Sequence, residues 1–309
     1  MLITASTPTA PPTTRIPRLL PVMAWLSFIA ETLIIGTGGA VRLTGSGLGC
    51  PTWPTCTPES LVATPEMGVH GVIEFGNRTL TGLVGILALV VVVLVWRMRR
   101  TRRDLFVLAL IVLGGVVAQA IVGGITVLTG LNPFIVGFHY VVSLILVCVC
   151  AAFLVRMKET AAPRERVVPA WYARLAHLTT AVLAVTIAFG VLTTGAGPHS
   201  GDAAAGRNGF NAEILEHVHA WPGYTLLALT LVLVGVAWAR RLRPRAWVTV
   251  LLAAEFVQIA VGLYQARNGL PEIAVGVHMV LAALTAAAMT VVILRLRAPE
   301  GIARVDAVH

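Results

Sequence analysis

Charge is what this chain has least of. Only 12% of its 309 residues are Asp, Glu, Lys or Arg, about half the share of a typical soluble domain. So few charges cannot clothe a water-facing surface, which excludes a soluble globular fold. Cysteine is also scarce. The four present form no Cys-x-x-Cys pair, which removes the commonest thiolate metal sites. No small-residue cleavage site follows a short apolar core near the N-terminus, so no cleaved signal peptide is expected and the first apolar run is kept.

What is there instead is lipid-compatible length. Hydrophobic residues make up 57% of the chain, and the mean hydropathy is +0.85. Eight apolar runs stand out, at about 20–40, 72–96, 105–128, 134–155, 173–193, 215–239, 247–266 and 273–294. Lipid leaves no backbone group unpaired, so each run is read as a helix. The net charge of +9 is distributed by topology. Segments before span 1, between spans 2 and 3, 4 and 5, and 6 and 7, and after span 8 hold 19 of the 23 Lys and Arg. The positive-inside rule puts those segments, and both termini, in the cytoplasm. The basic excess therefore does not indicate nucleic-acid binding.

The chain repeats itself. "QAIVGGITVLTGLNPFIVGFH" from Gln119 matches "QIAVGLYQARNGLPEIAVGVH" from Gln258, which pairs Gly123 with Gly262 and His139 with His278. "LTGSG" at 43–47 echoes "LTTGAG" at 192–197, and "EFGN" at 74–77 lies over "EHVH" at 216–219, so Asn77 takes the place of His219. The expected fold is all-α and integral to the membrane: eight transmembrane helices as two parallel-repeat four-helix bundles, both termini cytoplasmic. The expected organisation is a disordered tail at 1–19, a four-helix unit at 20–156, a linker at 157–172, a second unit at 173–297 and a tail at 298–309.

Four histidines, His70, His139, His219 and His278, lie near the starts of even-numbered spans, toward the outer face. Two imidazoles on facing helices suit a bis-axial haem site in a dry bundle core. The second half offers the cleaner pair, His219 and His278. The alternative is that each bonds to nearby backbone. His217 stands about 200° from His219 on a helix and belongs at the helix start. His177, mid-span and without a repeat partner, reads as a packed structural residue. His70, Glu74 and Asn77 follow i, i+4, i+7 spacing and form one polar stripe expected to face a cavity. The first half thus offers His139, His70 about 10 Å up the helix from the Asn77 position, and a carboxylate between them. One half reads as a held redox haem, the divergent half as a reaction site. Glu74 has a plainer reading, an ion pair with Arg78 at i+4.

These residues carry a resemblance. "GGAVRLTGSGLGCPTWPTC" (38–56), "IEFGNR" (73–78), the "GFH" and "GVH" helix starts and the fourfold-plus-fourfold repeat are together similar to the heme A synthase (CtaA/COX15) family, over nearly the whole chain. The resemblance implies an oxidoreductase that converts the ring methyl of heme O to a formyl, giving heme A for cytochrome oxidase. It implies heme b held through His219 and His278, substrate haem ligated by His139 with His70 as the further candidate, and Glu74 as the acidic residue needed for catalysis. Asn77, Arg42 and Arg78 join the cofactor-binding candidates. The family commonly has His at position 77 and His-Arg at 219–220. Implied partners are heme O synthase and cytochrome oxidase assembly factors, with an electron donor the sequence does not name, in a bacterial plasma membrane.

Cys50 and Cys56 share the first outer loop, and an oxidising exterior suits a disulfide between them. It would either shape the mouth of the substrate site or exchange thiols. Cys148 and Cys150 read as apolar packing. Arg42 would pair with a haem propionate or a lipid headgroup. Two other functions fit the architecture: a di-haem b electron-transfer subunit, quinol-linked and without chemistry of its own, and a repeat-built transporter.

Overall fold

The computed structural model describes residues 16–300. The expected N-terminal tail falls almost wholly outside these residues, as does most of the C-terminal one. The helices are α1 (Leu20–Leu43), α2 (Gly68–Trp96, entered through a 3-10 turn at Pro65–Met67), α3 (Arg103–Leu128) and α4 (Pro133–Met157). Then come α5 (Ala170–Ala196), α6 (Ala212–Ala239), α7 (Arg245–Arg267) and α8 (Glu272–Arg295). All eight are long and apolar enough to cross a membrane, and the chain is a multi-pass membrane protein. Two short strands were not expected: β1 (Arg164–Arg166) pairs antiparallel with β2 (Arg297–Pro299) and so ties the inter-half linker to the end of α8.

Packing closes α1 to α4 into one ring of neighbours and α5 to α8 into another. The rings meet where α8 lies against both α1 and α4. Leu20, Val95, Leu105 and Phe153 centre the first ring, and Tyr172, Leu233, Leu251 and Met289 the second. The seam uses small residues of α8, Ala283, Ala286 and Ala287, against Ile35, Leu144 and Val147. Lipid supplies no hydrophobic force between helices, so close approach through small side chains takes over that role.

The connections before α4 and α8 share a local structure. Leu131 N–H donates to Thr126 O and Leu270 N–H to Gln265 O. Gly130 and Gly269 take positive φ, at 60° and 71°, and each is followed by a leucine at φ 59°. A left-handed leucine costs about 1–2 kcal/mol. Both connections accept that strain, then start a helix within three residues. His139 and His278 therefore enter their helices at matching depths.

Candidate functional site

In the second half, the His219 and His278 rings face each other with centroids 6.3 Å apart and planes at 80°. Each packs on a glycine of a neighbouring helix. A Cβ built on Gly190 of α5 would lie 2.9 Å from His219 Cε1, and one on Gly262 of α7 would lie 3.1 Å from His278 Cε1. The glycines are the room in which the rings stand. His219 Nδ1 is 2.9 Å from Thr186 O. A carbonyl can only accept, so Nδ1 carries the proton and Nε2 keeps its lone pair. That is the arrangement of a metal-ligating His oriented by an outer hydrogen bond. His278 Nδ1 is buried with no hydrogen-bond partner among the described residues.

This geometry fits a metal between the rings. His219 and His278 would be the two protein ligands of such a metal. Among the described residues no cluster of three or more His, Cys, Asp or Glu could enclose a bare ion. Two facing imidazoles alone suit a metal that brings its own equatorial ligands, as haem iron does.

In the first half, His139 occupies the matching position. Its ring packs 3.4 Å from the Cβ position of Gly123, the counterpart of Gly262, and its Nδ1 is likewise buried and unpartnered among the described residues. Gln119 Nε2 donates to His139 O at 2.7 Å, and Gln258 Nε2 to His278 O at 3.1 Å. One bond thus recurs in both halves.

The polar stripe of α2 is present, and each of its members has a protein partner. All three members are engaged by one stretch, Thr37 to Cys50. His70 is exposed, with Nδ1 2.9 Å from Ser46 Oγ. Glu74 is buried and its Oε2 accepts from Cys50 N at 2.7 Å, while Oε1 takes Arg78 Nη2 in an ion pair. Asn77 Oδ1 accepts from Thr37 Oγ1 at 2.7 Å. Among the described residues no hydrogen bond joins His139 to these three. The reason is the outer loop, which folds down onto α2. Arg78 donates to Thr52 O (2.9 Å), Thr55 O (3.2 Å) and Cys50 O (2.9 Å), so Glu74 and Arg78 together fasten the loop's backbone. Cys50 and Cys56 are joined in a disulfide, and both are fully buried. Gly49 lies so close to the His70 carbonyl that any Cβ would collide, and Trp53 of the loop packs on Gly124 of α3 by the same token.

Arg42 also finds protein partners. Nε donates to His199 O (2.6 Å) and Nη2 to Thr194 O (2.8 Å), so it joins the end of α1 to the loop between α5 and α6. His217 is exposed near the start of α6, as expected. His177 corrects its expectation: it is exposed, not packed. Two buried carboxylates were missed. Glu31 of α1 (2% exposed) and Glu255 of α7 (3%) each keep one oxygen without a partner among the described residues, while Glu255 Oε1 accepts from Thr230 Oγ1 at 2.8 Å. A lone acid inside an apolar run was the available signal.

Comparison with known proteins bears on the same residues. The family described as Cytochrome oxidase assembly protein (COX15-CtaA) matches residues 21–200, more than half of the chain. That stretch holds the outer loop, Glu74 and His139, and it ends before His219. Curated relatives carry the name heme A synthase. One from Listeria welshimeri is 33% identical over 129 residues, covering 41% of this chain and 42% of its own length. One from Lysinibacillus sphaericus is 36% identical over 133 residues, 41% of each chain. One from Bacillus cereus is 34% identical over 125 residues, 39% of this chain and 40% of the relative. The chain thus matches about two fifths of the length of these relatives.

Proposed function

The chain belongs to the COX15-CtaA family of cytochrome oxidase assembly proteins, and from that premise we propose that it oxidises the ring methyl of heme O to the formyl of heme A. The relatives' printed name supports this reading. The observation that carries it is the facing pair His219 and His278, with 6.3 Å between ring centroids and one ring fixed by the Thr186 carbonyl. We assign that pair to heme b, which when bound supplies reversible one-electron transfer. Turning a methyl into a formyl removes four electrons and adds one oxygen, so an electron acceptor and an oxygen source must come from outside the chain.

The first half takes the substrate haem in this proposal, with His139 as the ligand on α4. His70 is the weaker candidate for a second ligand, because its ring is exposed rather than seated in the bundle. Asn77, held by Thr37, offers no good iron donor. Glu74 accepts hydrogen bonds at both oxygens, which suits the ionised form. As a fixed anion at the outer end of α2 it would stabilise positive charge developing at the oxidised carbon, or receive a released proton. Its grip on Cys50 gives it a second task, to hold the disulfide loop over the substrate. Heme O synthase would deliver the substrate and oxidase assembly factors would receive the product.

The test is a pyridine haemochrome of the purified protein, wild type and His278→Ala. The wild type should yield haem b together with heme O or heme A. The variant should lose the low-spin haem b signal. Haem b alone in the wild type would make this an electron-transfer subunit. An unchanged spectrum in the variant would remove His278 as a ligand.

A further inference from the structure

At the face opposite the candidate haem sites lies a recess of about 610 Å3, built where the ends of α4 and α8 meet the start of α5 and the β1–β2 ribbon. That volume is within the roughly 300–1,000 Å3 range of small-molecule sites. Its polar lining carries one sign of charge: Arg156, Arg164, Arg166, Arg174 and Arg297, with His177. No acidic residue lines it. Arg164 is paired with Glu159 Oε2 at 2.6 Å, and that same carboxylate is also approached by Arg243 and Arg295. Arg156, Arg166, Arg174 and Arg297 add four more guanidiniums to the same recess. The excess acts on Arg164 itself: burial, then the positive charges of Arg156, Arg243 and Arg295, push its guanidinium below its ordinary value, against the one opposing pull of Glu159.

Four guanidiniums around one recess repel each other, so the site as built favours an anion. α5 adds to this, since its first-turn N–H groups have no carbonyl a turn before them and Ala170 lines the recess. The guanidinium fork matches phosphate oxygens two at a time. The rest of the wall is apolar: Ala173, Ile293, Leu294 and Leu296. His177 stands seven residues into α5, about 10 Å below its start. The recess therefore grades from a cationic rim to an apolar wall at membrane depth. Soluble phosphate would satisfy the rim and leave that wall wet.

We propose that this recess binds the phosphodiester headgroup of an anionic membrane phospholipid, with the acyl chains running along the α5–α8 wall. Basic pockets between transmembrane helices on the positively charged face are a known setting for such headgroups. Bound there, the lipid would bridge the linker, the start of α5 and the end of α8, and so brace the join between the halves.

The full chain in nanodiscs of phosphatidylcholine with an equal amount of phosphatidylglycerol, released into native mass spectrometry, tests this. The wild type should retain one phosphatidylglycerol in preference to phosphatidylcholine by about tenfold. The Arg166→Gln/Arg174→Gln/Arg297→Gln variant should drop to near parity. All three side chains are exposed, so the fold should hold. Equal retention of the two lipids by the wild type overturns the proposal without any variant. Unchanged selectivity in the triple variant overturns the site. Displacement of the lipid by millimolar inorganic phosphate would assign the recess to soluble phosphate instead.

Discussion

Replacing Glu74 separates its two proposed tasks. In Glu74→Gln the amide oxygen can still accept from Cys50 N, now 2.7 Å away, but the charge opposite Arg78 is gone. A hydrogen bond to a charged group contributes about 1.5–3 kcal/mol and a neutral one about half that. The Gln variant should therefore loosen the loop by about 1–2 kcal/mol. Arg78 keeps its three loop carbonyls and moderates the loss. Glu74→Ala removes both interactions and leaves the Cys50 N–H buried without a partner, for about 3–4 kcal/mol. Since about 1.4 kcal/mol is tenfold in an equilibrium, the open loop population should rise roughly tenfold in Gln and several-hundredfold in Ala.

Hydrogen exchange at the Cys50 amide reads this directly, and heme A yield reads the chemistry. If Glu74 only fastens the loop, yield should follow loop opening, mild for Gln and severe for Ala. If its charge takes part in the reaction, Gln should lose product as fully as Ala while Cys50 stays largely protected. Haem b should survive in both variants, because Glu74 lies in the other half. Wild-type yield from Glu74→Gln would refute the charge argument. Unchanged Cys50 exchange in Glu74→Ala would refute the tether.

Two further outcomes follow. Gly190→Ala or Gly262→Ala places a methyl 2.9 or 3.1 Å from His219 or His278 Cε1, an overpacking of about 1–3 kcal/mol; retained haem b should fall and its absorption bands shift, and an unchanged spectrum would mean the rings are not seated as described. Cys50 and Cys56 are buried and bonded, so neither should react with an alkylating agent before reduction, as read by intact mass; two alkylated thiols in the untreated protein would contradict the pairing.

The membrane class and the eight helices were legible because a span in lipid must be both long and apolar, and few soluble patterns imitate that. Helix ends shifted where polar residues found tertiary partners. α1 runs to Leu43 because the end of α5 and the loop after it accept the Arg42 guanidinium, and α2 starts at Gly68 because the outer loop accepts its polar first turns. Those contacts join residues far apart in sequence and leave no local mark. The β1–β2 ribbon was hidden for the same reason, since it pairs positions more than a hundred residues apart. His177 was misread because a His inside an apolar run is usually packed. Here the ribbon and the end of α4 bring arginines to the recess it lines instead. The His219 and His278 juxtaposition was legible from the repeat alone, while the glycine seats and the Thr186 carbonyl needed coordinates.

The two candidate haem positions are joined by more than adjacency. Tyr140 Oη donates to Met279 O at 2.9 Å across the seam. Tyr140 follows His139, Met279 follows His278, and the two are repeat counterparts at the same offset as the histidines. A residue that bonds its own counterpart lies close to any axis relating the halves. The candidate ligands of α4 and α8 therefore sit one residue from the point where those helices touch. The alanines of α8 keep the helices close below that point, and Arg42 locks the outer end to the loop between α5 and α6. An interface this constrained fixes the spacing between the two sites rather than letting it vary. In the proposed function, electron exchange between a resident haem and a substrate haem would depend on such a fixed spacing. A transporter, which must rock one repeat against the other, would be poorly served by the same bonds.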